Sequence, residues 1–153
     1  MHKQMLIVAD RVQARFFRLD DVDFPEYQSG PKLVELEQIY NADVLISDRR
    51  GVETPLKIHA GPQRVQREKL FARQISSRAT KMAQQNHCSN LIISAESQML
   101  GYLRLCTGEM NKNGIHITEI DKGLSRFGPK KIHGILSNNG ILPAQRRPSK
   151  NAF

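Results

Sequence analysis

Tryptophan is absent from this chain of 153 residues, aromatic side chains make up 6% of it, and cysteine occurs only twice. Cys88 and Cys106 are too few for a disulfide framework, and they read as reduced thiols in or near a core. The lack of a Cys-x-x-Cys pair or a His/Cys cluster argues against a structural zinc site. Long apolar runs are missing as well. The one near the start, in MHKQMLIVAD, is too short for the apolar region of a secretion leader, and nothing approaches the roughly 20 apolar residues of a membrane helix. These absences predict a cytoplasmic protein with no membrane association. Acid is what the last stretch lacks: beyond Asp121 there are seven Lys or Arg and no Asp or Glu.

What is present is positive charge, unevenly placed. The net charge is +8, yet residues 1–48 hold nine acids against five bases. Residues 49–81 hold nine Lys or Arg against Glu53 and Glu68. Two basic segments on a mildly acidic body point to a polyanion, because neutralising phosphates releases counterions. Nucleic acid suits better than a lipid surface, since the basic segment lacks the bulky aromatic face that interfacial helices use.

Met5 to Ala9 suits a buried strand, Val12 to Leu19 a second, and the intervening Asp10-Arg11 a tight connection. Residues 20–31, with two prolines and Ser-Gly, read as a loop. Lys32 to Tyr40 alternates well enough for a third strand, and residues 41–47 fit either a strand or a helical turn. A basic loop over 48–66 follows. From Arg64 the period changes: Phe71, Ile75, Ala79 and Met82/Ala83 recur at about four, the spacing of one helix face, with most of the cations off that stripe. Asn90 to Ala95 reads as a strand covered on both sides. A helix over 96–107 and a strand over 114–120 complete the pattern. The order βββαβαβ predicts an α/β domain over residues 1–127 with a mixed five-stranded sheet, the ribonuclease H-like arrangement. Residues 128–153, rich in proline, glycine and basic residues, read as a flexible tail with a short helix near 130–136.

The segments VADRVQARFF, LISDRRG, REKLFARQIS and ITEIDKGLSR together resemble the bacterial host attachment protein family over most of residues 5–127. That family in turn is similar to the middle domain of archaeal and eukaryotic class-1 peptide-chain release factors, whose Gly-Gly-Gln loop precedes a long basic helix. Gly61-Pro62-Gln63, within KIHAGPQRVQREK, stands in the corresponding place. The resemblance implies binding to the ribosome or tRNA, with Gln63 as the candidate catalytic residue where a preorganised donor would stabilise an oxyanion. Pro62 removes a backbone donor and biases Gly61 towards extended conformations, and the spacing from Gln63 to Arg67-Glu68 is short, so RNA binding is expected rather than peptidyl-tRNA hydrolysis.

The residues expected to meet RNA are Arg49, Arg50, Lys57, His59, Gly61, Gln63, Arg64, Arg67 and Arg73, then Lys130, Lys131, Arg146 and Arg147 in the tail. Such contacts would fall mainly on phosphates. A second reading takes the family name at its word, as adhesion to a host. A third, metal-dependent phosphodiester cleavage, would place Asp10, Glu96 and Asp121 around divalent ions at strand ends. Against it, acids at such positions commonly serve turns and helix starts. No motif asks for a cofactor.

Overall fold

A computed structural model of the chain describes residues 3–24, 26–42 and 62–147. Strands β1 (Lys3–Ala9), β2 (Gln13–Asp20) and β3 (Lys32–Tyr40) form an antiparallel meander. Helix α1 (Pro62–Gln85) leads to β4 (Cys88–Ala95), and α2 (Ser97–Cys106) with the one-turn α3 (Gly108–Lys112) leads to β5 (His116–Asp121). Helix α4 (Pro129–Asn138) follows. The sheet order is β3-β2-β1-β4-β5, with β4 parallel to both β1 and β5. This is the mixed five-stranded α/β sheet that the sequence predicts, and its order is consistent with a ribonuclease H-like arrangement.

The central strands explain themselves. Met5 to Ala9 and Leu91 to Ile93 are buried throughout, because each strand is covered on both faces, so a continuous apolar run replaces alternation. Side chains of β1 point alternately to two cores. Met5, Ile7 and Ala9 meet α1 and α2 on the front face, where Phe71, Ile75, Ala79 and Met82 form the predicted inward stripe. Ala72, Ala79 and Ala83 keep α1 close to the sheet. Leu6 and Val8 face the other way, against Phe17, Ile92, Ile132 and Leu136.

That second core corrects the reading of the tail. Ile132 and Leu136 are 0% exposed, and α4 covers the back of the sheet as an integral element rather than a mobile extension. The physical reason is simple: Leu6, Val8 and Phe17 would otherwise face water. Arg146, among the described residues beyond α4, is also tied down, since it and Gly30 exchange backbone hydrogen bonds of 3.1 and 2.7 Å. Gly30 has no room for a side chain there, because a Cβ would lie 2.7 Å from both methyls of Val22.

Element boundaries shift by one or two residues. Helix α1 begins at Pro62, two residues before the periodicity starts, with proline in the first position that tolerates its missing N–H. Strand β4 begins at Cys88 rather than Asn90, β5 begins at His116 rather than at residue 114, and the one-turn α3 occupies a stretch to which the sequence reading gave no element.

Candidate functional site

Arg49, Arg50, Lys57, His59 and Gly61 lie outside the described residues. The remaining predicted cations divide between the two faces of the sheet. On the front, Arg73 is exposed on α1, as are Lys69 and Lys81, which the sequence reading did not single out; Lys69 Nζ lies 5.9 Å from the Tyr102 ring centroid. Arg64 is half engaged, its Nε 3.3 Å from Glu68 Oε1. Arg67 is partly buried with a partner of its own. On the back, Lys130 and Lys131 are exposed on α4, Lys131 stands 5.6 Å from the Phe127 ring centroid, and Arg146 and Arg147 follow. Among the described residues, the predicted cations are therefore divided between two faces rather than gathered on one surface. Gln63 is exposed in the first turn of α1, beside a shallow depression shared with Gln66, Arg67 and Leu70.

The three acids proposed for metal ions each have a structural task. Asp10 Oδ1 accepts hydrogen bonds from the Val12 and Gln13 amides at 2.7 and 2.8 Å, closing the β1–β2 turn. Glu96 precedes α2 and packs on Gly123, where a Cβ would lie 3.2 Å from its Oε1. Asp121 accepts a hydrogen bond from Ser97 Oγ. Among the described residues, no group of three or more His, Cys, Asp or Glu side chains is arranged to hold a metal ion.

Two of these acids nevertheless border a polar cleft of about 420 Å³ at the C-terminal ends of β1 and β4. Asp10, Arg11, Arg64, Glu68, Glu96 and Arg126 supply its charged wall. Each piece of that wall is held from behind. Asn41 Nδ2 donates to the Arg11 carbonyl at 3.1 Å and so fixes the turn that carries Arg11. Ser94, fully buried, donates to the Lys122 carbonyl at 2.8 Å and anchors the segment leaving β5. Arg15 is the strongest clamp. Its Nη1 donates to the carbonyls of Ser125 and Phe127 at 3.1 and 2.6 Å, on either side of Arg126. Its Nε and Nη2 form a bidentate pair with Glu35, and its guanidinium lies 5.0 Å from the Phe17 ring centroid.

Glu68 is the anomaly. Only 5% exposed, it has one oxygen facing Arg64, while Oε2 is buried with no hydrogen-bond partner. An unpartnered buried polar atom costs about 1–3 kcal/mol, more when charged. Ser125 Oγ, next to Arg126, is likewise buried and unpartnered. Sequence reading passed over Arg11, Glu68 and Arg126. A signal for Glu68 was present: it stands three residues before Phe71 and seven before Ile75, on the inward stripe of α1, where an acid has no packing reason to be. Arg11 and Arg126 had no comparable signal, because only the fold brings residues 115 positions apart to one cleft.

These features define an α/β domain with a mixed sheet, cationic surfaces on both faces, and a polar cleft at one end. The chain belongs to the family described as "Protein required for attachment to host cells", whose profile matches residues 5–136. No curated protein matches the chain. The family match reaches Leu136, a buried residue of α4, so it takes in part of the back layer as well as the sheet.

Proposed function

We propose that this chain takes part in attachment to host cells, acting as a binding domain. The observation that carries this reading is the family match, which reaches every strand of the sheet and both layers that cover it. The geometry supports a binding role through its exposed cations: Arg73 and Lys81 on the front, Lys130, Lys131 and Arg147 on the back. Opposite faces of one rigid sheet suit a protein that touches two anionic partners, or one partner at either end, better than one that lies flat on a single duplex. Among the described residues no helix is long and apolar enough to cross a membrane. The test is a strain lacking the chain, scored for adhesion to host cells and complemented with wild type or with Lys130, Lys131 and Arg147 all changed to Ala. Adhesion should fall in the deletion and return only with wild type; adhesion equal to the parent strain would overturn the reading.

A second reading is RNA binding in translation, favoured by the exposed row of Lys69, Arg73 and Lys81 on α1 and by the likeness to the release-factor domain. Cytoplasmic location belongs to this reading, as surface exposure belongs to the first. Co-sedimentation with ribosomes across a salt series separates them. Retention that falls steeply with salt and with Arg64, Arg67 and Arg73 changed together to Ala supports translation; no retention at any salt removes it.

A further inference from the structure

The cleft at the ends of β1 and β4 has a wall more elaborate than a turn and two helix starts require. Two of its three carboxylates are compensated from within: Asp10 accepts two backbone amides and Glu68 faces Arg64, while the third, Glu96, packs on Gly123. Two of its guanidiniums are not. Arg11 and Arg126 form no ion pair among the described residues, and each is held in place through its own backbone or its neighbours' carbonyls. The cleft therefore offers a pair of positioned, unspent cations beside a buried acceptor, Glu68 Oε2, with nothing donating to it. Planar guanidiniums that retain all their donors match the oxygens of a phosphate. A carboxylate oxygen whose charge is already shared with an arginine needs a donor, not a second cation, and a hydroxyl supplies that.

We propose that this cleft is a binding site for a small phosphorylated polyol, with the phosphate on Arg11 and Arg126 and a sugar hydroxyl donating to Glu68. Its volume lies in the range of about 300–1,000 Å³ typical of small-molecule pockets. Its position outside the carboxyl ends of parallel strands is where α/β sheets commonly hold ligands. A mononucleotide and a sugar phosphate share this chemistry. The site is independent of the attachment reading, since neither needs the other.

The experiment is calorimetric titration of the full chain with ribose 5-phosphate, AMP, inorganic phosphate and ribose. Ribose 5-phosphate should bind about tenfold more tightly than phosphate, the weight of one charge-assisted hydrogen bond, and by a larger factor more tightly than ribose, which lacks both arginine contacts. Arg126→Ala, at an exposed position with no fold to disturb, should weaken it by a similar factor, about tenfold. Glu68→Leu, which removes the acceptor, should erase the advantage of ribose 5-phosphate over phosphate, with melting temperature recorded to confirm folding. AMP tighter than ribose 5-phosphate supports a nucleotide as the natural ligand, and equal affinity supports a sugar phosphate. No binding of either at millimolar concentration, phosphate binding as well as ribose 5-phosphate, or affinity indifferent to Arg126→Ala would each overturn the proposal.

Discussion

On the front of the sheet a helix of 24 residues lies across the strands, with α2 beside it, and among the described residues the cluster there comprises twenty buried side chains. On the back, a helix of ten residues and the turn after it complete a cluster of ten. The front is redundant: α1, α2 and Met110 all contribute. The back leans on one short helix in a segment whose composition resembles that of a loop. Depth of cover and importance are therefore different quantities, because β1 needs both sides closed for its unbroken apolar run to be stable. A mutation series can ask whether the thin side is as indispensable as the thick one.

The largest effect should come from ending the chain before α4. A truncation after Phe127 leaves Leu6, Val8, Phe17 and Ile92 open to water, and we expect loss of cooperative thermal unfolding and binding of a hydrophobic dye. A truncated chain with an unchanged melting temperature would show the back core to be dispensable. Next come matched cavities, one per face. Leu136→Ala on the back and Ile75→Ala on the front, both 0% exposed, should each cost about 2–5 kcal/mol in urea titrations. A much smaller loss at Leu136 would show that the thinner layer collapses around the void.

Smaller, and aimed at the join between the faces and the cleft, is Arg15→Ala. It removes two hydrogen bonds to carbonyls flanking Arg126 and leaves Glu35 without its bidentate partner. Glu35 is 27% exposed and recovers some hydration, so the expected cost is about 2–4 kcal/mol. The readout is again urea denaturation, and amide exchange should rise locally in residues 124–128.

How far all this was legible in the sequence follows from the range of each signal. The order of elements along the chain rests on local patterns, so the apolar runs of β1 and β4 and the fourfold period of α1 sufficed for the fold class. The edge strand β3 was readable from its alternation, although Glu35 and Glu37 are there to pair with Arg15 and Arg78 rather than to face water freely. Helix α4 was half legible: Ile132, Ile135 and Leu136 have helical spacing, but prolines and basic residues around them drowned the signal. The cationic residues were identifiable singly, whereas their division between opposite faces required knowing which side each helix packs on. The cleft was the least legible, since it joins Arg11, Glu68 and Arg126 from three distant segments. The family match gives the domain a context without assigning any of these side chains a task.

At the C-terminus of α1 a smaller effect is expected. His87 has φ of 52°, the left-handed conformation that usually falls to glycine where a helix ends. The neighbouring Asn86 holds the end in place, donating to the Met82 carbonyl and accepting from Arg18. His87→Gly relieves the backbone at the cost of a more flexible unfolded chain, and a net gain of about 1 kcal/mol or less is expected from urea unfolding. A loss would mean that the imidazole contributes more than its conformation costs.

The smallest effect concerns the edge of the front face, where Arg78 of α1 reaches across to Glu37 of β3. The hydrogen bonds from Arg78 hold the Glu37 carboxyl below its ordinary range, and the Coulombic attraction adds to them. A depressed folded-state pKa means that the pair contributes stability fully above the ordinary carboxylate value and loses it as pH falls through the lowered one. Both side chains are about one-third exposed, at 38% and 30%, so water and salt weaken the pair. In Glu37→Gln that contribution is gone at every pH. Wild type and variant should therefore differ slightly in melting temperature at neutral pH and converge under acid conditions, with the gap narrowing further in high salt. A gap that persists after the carboxyl has been protonated would assign the stabilisation to packing of the Glu37 and Arg78 stems against α1 and β3, not to their charges.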